Sequence, residues 1–463
     1  MDGRGAAIER LERDFGRTVE QLCGLSRIPG VSARGYEPAE LERSAVEVAE
    51  GMRAAGLENV SVLRVEGAHP YVLGDWLHAP GAPTALIYAH HDVQPPGRRE
   101  HWIGDPFEPE ERSGRLYGRG VVDDKAGLML HLAALRAWLD TAGALPLNVK
   151  LLVEGEEEIG SPHLEEFLRA HRVRLAADVL VLSDTANLDT GLPSLTTSLR
   201  GLVVVDVEAR ALDHPLHSGM WGGPVADSAS ALVRLLSRLV DDRGVIQVPG
   251  LYDDVPETAP DERERLAALP FDEARFREQS GLLAGGPLAG ESERSAYERL
   301  WLRPSLALTA LEGMPLATAG NQLMERARAR VGLRLAPEQD PRRAAELLAE
   351  FLRADPPAGV RVEAAIDTAA AGWSTEPRGP AFDAARRALR AGYDRPPVEI
   401  GCGGSIPFVG PFCRVLSGAP ALLLGLEDPV CNAHGENESL HLDDFRKAAR
   451  SAVHLLAELR GAL

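Results

Sequence analysis

The chain has 463 residues, too many for one ordinary hydrophobic core, so two domains are expected. Hydrophobic residues at 44% and charged residues at 26% match a folded globular protein and argue against a disordered or fibrous one. Lys and Arg number 50 against 69 Asp and Glu, a formal charge of −19 without a long basic block, which argues against nucleic acid as a partner.

In chain order, the N-terminal stretch alternates charged and apolar residues. It predicts an amphipathic helix over 8–25, not a signal peptide. A second helix is expected over 40–55 and a strand over 60–65. The apolar run 84–88 leads almost directly into His90, a buried helix follows over 126–139, and strands over 147–153 and 178–182 end in acidic turns. Strands alternating with helices predict a three-layer α/β/α domain with a mostly parallel sheet, whose functional residues gather beyond the strands' carboxyl ends. The middle of the chain reads as strand 202–210, helix 226–242, strand 328–335, helix 342–354 and strand 360–366, an α+β unit of ferredoxin-like type. A charged insertion with helical patches occupies roughly 245–305. From 381 the α/β character returns, with a helix to about 391, a strand at 421–424 and a terminal helix over 442–459. The expected organisation is a catalytic domain formed by 1–199 and 369–463, interrupted by an inserted lid or dimerisation domain at 200–368, with hinges near Arg200 and Ile366. The longest apolar runs, 201–205 and 421–424, are far too short to span a membrane. Cys23, Cys402, Cys413 and Cys431 show no CxxC spacing, so free buried thiols in a reducing cytoplasm are expected.

The polar residues that stand out follow apolar runs. His90 and Asp92 form an H-x-D at a strand end, where side chains two apart share one side. Asp123 and Asp124 follow a Gly-rich turn, Glu156-Glu157-Glu158 follow the 147–153 strand, Asp184 ends the next, and His434 lies in a late loop. Each has a plain structural alternative: a solvated acidic turn, a helix cap at Asp123-Asp124, an ordinary loop histidine. Taken together, imidazole and carboxylate donors without cysteine suit a two-metal site for zinc, manganese or cobalt.

Seven stretches in order carry a closer likeness: YAHHDVQP at 88–95, LYGRG at 116–120 with DDKAG at 123–127, EGEEEIGS at 154–161, LSD at 182–184, LHSGMWGG at 216–223, GGSIP at 403–407 and NAH at 432–434. With them the chain resembles the M20 family of di-zinc metallopeptidases, in particular its carnosinase-like dipeptidase branch. The resemblance implies two divalent ions per subunit, foremost Zn2+, with Mn2+ or Co2+ as the other candidates. His90 and Asp184 would hold one, Glu158 and His434 the other, and Asp123 would bridge them. It implies Asp92 as the acid orienting His90, Glu157 as general base, a cis Asp123–Asp124 peptide, and His217 as an oxyanion donor shared across a homodimer. Asn321, Arg334, Gly404 and Ser405 resemble substrate anchors for a short peptide with a free carboxylate. Gly401-Cys402 departs from the bulkier charged pair usual before the glycine loop, while His91 and His214 receive no role. The activity implied is dipeptide hydrolysis; the alternatives are an N-acyl amino-acid amidohydrolase of the same superfamily and a non-catalytic peptide-binding relative.

Overall fold

The structure, a computed structural model, describes residues 3–404, 406, 409–416 and 418–463. The chain divides into two compact units. One is built from Met1–Thr197, Glu376–Ile400 and Phe408–Leu463, the other from Ser198–Thr375 and Gly401–Pro407.

The first unit is organised on a twisted sheet. Its strands run in the order Glu58–Leu63, Tyr71–Trp76, Asn148–Glu154, Thr84–His90, Val179–Ala186, Ala421–Glu427, Ser194–Leu199. The four strands from Asn148–Glu154 to Ala421–Glu427 pair in parallel, and the flanking pairs are antiparallel. Strands covered on both faces carry near-continuous apolar runs, and Thr84–His90 is buried along all but its first residue. Ala85, Ile87 and Ala89 enter one core with the helices Gly3–Ser26, Pro38–Ala54, Lys125–Ala142, Pro380–Tyr393 and Leu442–Ala462. Tyr88, pointing the other way by the period of two, sets its ring edge-on to Phe412 at 5.4 Å between centroids. Layers on both faces therefore cover the sheet, as the sequence predicts. The Lys125–Ala142 helix is buried almost all round from Lys125 to Trp138 and ends on Gly143, whose φ of 68° suits a left-handed C-terminal cap.

In the second unit an antiparallel sheet runs Ser305–Glu312, Arg326–Leu335, Gly201–Arg210, Arg361–Ala370. Burial alternates along Gly201–Arg210, and Val203, Val205, Val207 and Ala209 form a separate core with helices Ser228–Leu236 and Pro341–Arg353. The latter helix starts where Asp340 accepts the N–H groups of Arg342 and Arg343 and Pro341 occupies the first turn. The helix Ser228–Leu236 stops well short of the expected 242, because the chain turns back through the Val240–Ile246 bridge. Ile366 lies inside a strand, so a hinge there is not what the backbone forms; Arg200 does sit at a strand junction. The insertion holds helices Pro260–Ala267, Glu273–Ser280 and Ala296–Trp301. Among the described residues no helix is long and apolar enough to cross a membrane. Of the four cysteines, only Cys431 is buried; Cys23, Cys402 and Cys413 are half-buried.

Candidate metal centre

Parallel register brings the sequence-selected acids and histidines of the first unit to one end of the sheet. His90 lies opposite Glu154, and Tyr88 opposite Leu182, so His90 and Asp184 leave neighbouring strands side by side. The short helical turn Glu157–Ile159 follows the strand ending at Glu154, and the Ala421–Glu427 strand leads to the His434 loop. Asp123 faces both histidines: its Oδ1 is 3.1 Å from His90 Nε2 and its Oδ2 is 2.9 Å from His434 Nε2. Asp184 Oδ2 lies 3.8 Å from His90 Nε2, and Glu158 Oε2 lies 3.1 Å from His434 Nε2. His90, Asp124 and Asp184 form one compact donor group and Asp123, Glu158 and His434 another, each with its ligand atoms within 4.8 Å of one another, so each offers the nitrogen and carboxylate oxygen that a divalent ion takes. The peptide Asp123–Asp124 is cis.

The surroundings hold these donors in place. His90 Nδ1 lies 3.0 Å from the carbonyl of Asp92 and 3.4 Å from its carboxylate. That carboxylate accepts instead the N–H groups of Glu157 at 3.2 Å and Glu158 at 3.1 Å, so Asp92 steadies the turn carrying both glutamates as well as the imidazole. Gln94 donates its N–H and its amide to Glu158 at 3.0 and 2.9 Å. Of the acidic triplet, Glu156 is buried rather than solvated, accepting from the Tyr71 hydroxyl at 3.1 Å. A Cβ on Gly155 would come within 2.7 Å of the Pro70 carbonyl, which is why this turn needs glycine. Asp124 sits at the head of the Lys125–Ala142 helix but does not cap it with its side chain; its Oδ2 accepts the His90 N–H at 3.2 Å.

The electrostatics are those of crowded carboxylates sharing protons with two histidines. Burial works against a charged His90, yet Asp123, Asp184 and Asp92 outweigh it and hold the imidazole well above its ordinary value. His434 is pushed up to about 11 by Asp123 and Glu158. Burial raises Glu157 well above the usual carboxylate range; His90 opposes the shift and Asp184, Glu158 and Asp123 reinforce it. Glu157 Oε2 lies 4.0 Å from His90 Nε2. Divalent ions would replace these crowded protons.

Sequence reasoning passed over Glu427, whose carboxylate forms a third compact donor group with Asp123 and Asp184. Carrying the expected 421–424 strand on to its end would have found it beside Asp184. His131 was also unassigned. It is buried, lies 3.0 Å from Ser183 Oγ, and burial lowers its pKa to about 3. The folded protein thus keeps His131 neutral while the unfolded chain protonates it near pH 6.5. Stability from this group is full above pH 6.5 and is lost as pH falls towards 3, by about 3 kcal/mol at pH 4.5. Urea unfolding of metal-stripped protein at pH 7 and 4.5 should show a smaller acid loss in His131→Gln than in the parent; equal losses would contradict this.

The remaining candidates belong to the second unit. His217 is exposed and accepts the Gly219 N–H at 3.1 Å through Nδ1, and its strand pairs His217 with Gln322, next to Asn321. Arg334 and Arg200 face each other across one corner: burial and the neighbouring Arg334 lower Arg200 to about 10. Arg200 donates to the Gly403 carbonyl at 3.1 Å and to Ser305 at 2.8 Å, and its N–H reaches the Gly404 carbonyl at 3.2 Å. Arg200, treated only as a junction by sequence, therefore accompanies Arg334 and Gly404. Ser405 lies outside the described residues. His91 is fully buried between Ser44 and the Pro70 carbonyl, and His214 is an exposed neighbour of Asp213.

An α/β/α sheet with imidazoles and carboxylates massed beyond its parallel strands is the architecture of a metal-dependent hydrolase. The model of Peptidase family M20/M25/M40 matches residues 86–458, and the chain belongs to this peptidase family. It is 33% identical over 377 residues, 81% of each chain, to the Cysteinylglycine-S-conjugate dipeptidase of Corynebacterium striatum. It is 30% identical over 477 residues, 99% of each chain, to the Cys-Gly metallodipeptidase dug1 of Schizosaccharomyces pombe. Its fold matches human carnosine dipeptidase 1 with a TM-score of 0.87 at 24% identity, covering 99% of both chains. The chain is a peptidase of the metal-dependent, dipeptidase-like kind that the sequence motifs announce.

Proposed function

We propose that this protein hydrolyses the amide bond of dipeptides bearing a free C-terminal carboxylate, with two divalent ions, foremost zinc, held by His90, Asp123, Glu158, Asp184 and His434. The observation that carries the reading is Asp123, set between the two histidines with one oxygen towards each. Bound there, the ions would supply a low-pKa water and polarise the scissile carbonyl. Glu157, outside the ligand set but within 4.0 Å of His90, takes the proton as the water oxygen joins the carbonyl carbon. As the C–N bond breaks, the same carboxyl returns that proton to the leaving amine. Asp92 orients this machinery through His90 and through the Glu157 and Glu158 amides.

In the second unit, Arg334 with Arg200 and the Gly404–Ser405 loop would receive the substrate carboxylate, since guanidinium matches carboxylate bidentately, and Asn321 its backbone. His217 serves as donor to the oxyanion, in a homodimer whose contacts involve this unit; Met220, Leu311 and Leu316 are 76%, 62% and 97% exposed there. His217→Ala is expected to lower kcat about 10²-fold with metal content unchanged; turnover within twofold of the parent would remove this role.

The reading is tested by assaying zinc-, manganese- and cobalt-loaded protein on a dipeptide panel, including Cys-Gly, against N-acetyl and N-succinyl amino acids. Turnover of dipeptides is expected. Preference for the acylated substrates would assign the amidohydrolase activity, and no turnover of any amide would leave a binding protein.

A further inference from the structure

The imidazole of His434 is 58% exposed, so packing around the side chain does not fix where it points. Besides the Asp123 and Glu158 carboxylates that its Nε2 meets, its position depends on the course of its backbone. Asn432, His434 and Asn437 have φ of 56°, 63° and 61°, a region that side chains with a Cβ rarely adopt. Within the loop the Gly435 N–H donates to the Asn432 carbonyl at 2.9 Å and the Asn432 amide to the Glu436 carbonyl, and groups outside the loop hold it as well.

We infer that Arg119 and Glu438 are positioning residues for the metal centre, a buried ion pair that ties together the backbones carrying its donors. The pair is 2.6 Å apart, with side chains 1% and 0% exposed. Glu438 Oε1 accepts the N–H groups of Val122 at 3.1 Å and Asp123 at 3.3 Å, and Oε2 accepts that of Gly120 at 3.1 Å. It therefore fixes the segment presenting Asp123. Arg119 Nη2 donates to the carbonyls of His434, Gly435 and Pro95, each at 3.1 Å. The first two lie in the strained loop, and the third follows Gln94, whose amides hold Glu158. Trp102 covers the guanidinium at 5.6 Å. Further tethers lie at the surface, Arg98 to Glu436, where ion pairs contribute little, and Asn437 to the Ile103 N–H and the His101 carbonyl, and at the loop's base the Ser439 N–H donates to the Cys431 carbonyl at 2.7 Å.

The pair touches no proposed ligand side chain and no reacting atom, so its effect is on placement. It rests on the proposed two-metal reading, and it specifies which ion suffers. With Arg119 replaced, the Glu158–His434 ion loses the carbonyl bonds that preform its loop, while Glu438 keeps the Gly120, Val122 and Asp123 N–H groups and the His90–Asp184 ion keeps its partners. Arg119→Lys keeps a cation opposite Glu438, but a single ammonium cannot span Glu438 and three carbonyls as a guanidinium fork does.

The test is zinc titration of metal-stripped parent and Arg119→Lys against a competing chelator, with amide hydrogen exchange on both. Expected are one site of parent-like affinity, a second at least tenfold weaker, and faster exchange confined to 432–437. Parent-like affinity at both sites in folded Arg119→Lys would overturn the inference, since a merely structural pair would lower only the melting temperature. Should the variant not fold, the stripped parent still decides. The amides of Gly120, Val122 and Asp123 must be protected before any zinc is added; protection that arises only with zinc refutes preorganisation. A parent that binds no zinc would instead count against the proposed function, leaving the amide protection to judge the pair.

Discussion

Glu157→Gln is expected to lower kcat for dipeptide hydrolysis by about 10²–10⁴-fold while both ions remain bound. Glutamine keeps the shape of the side chain and its place beside His90 but cannot accept a proton from the attacking water. Glu157 stands apart from the compact donor groups formed around Asp123, so the ligand set survives the change. The turn that carries it also survives, because Asp92 holds the main-chain N–H of residue 157, not its side chain. Steady-state kinetics with metal analysis of the same sample gives the answer. Parent-like turnover would assign the proton transfer elsewhere, and loss of metal would make Glu157 a ligand.

Asp123→Ala should have the larger consequence. Asp123 contacts both histidines through different oxygens, so its removal strips each candidate site of a donor and unlinks them. Both ions are expected to be lost, and with them several orders of magnitude in rate, because the bound water is no longer acidified. His434→Ala provides the contrast: it leaves His90, Asp123 and Asp184 together and should retain one ion per chain. Metal content by mass spectrometry after dialysis separates the two variants. Equal retention of two ions in Asp123→Ala would mean that the carboxylate does not bridge.

Most of the donor cluster was legible because it sits where strands end. The apolar runs before His90 and Asp184 locate those ends, and the period of two explains the H-x-D. The strand Tyr71–Trp76 was not legible: Gly74 and Asp75 interrupt its pattern. Yet Gly74 is there because a Cβ would meet Val60 at 2.9 Å, and Asp75 is satisfied by Asn59 at 2.8 Å. Glu427 was hidden by ending its strand three residues early. Arg119 and Glu438 lie 319 positions apart and look like ordinary surface charges in sequence; only the fold reveals that both are buried and face each other. The seven motifs carried the family reading, and the family match spans all of them, from 86 to 458.

The most direct measurement is to strip the purified protein with a chelator, follow Cys-Gly hydrolysis, and add Zn2+ back in counted equivalents. Activity should vanish on stripping and return with a plateau at two equivalents per chain. Full hydrolysis by metal-free protein, or a plateau at one equivalent, would contradict a shared two-ion centre at Asp123.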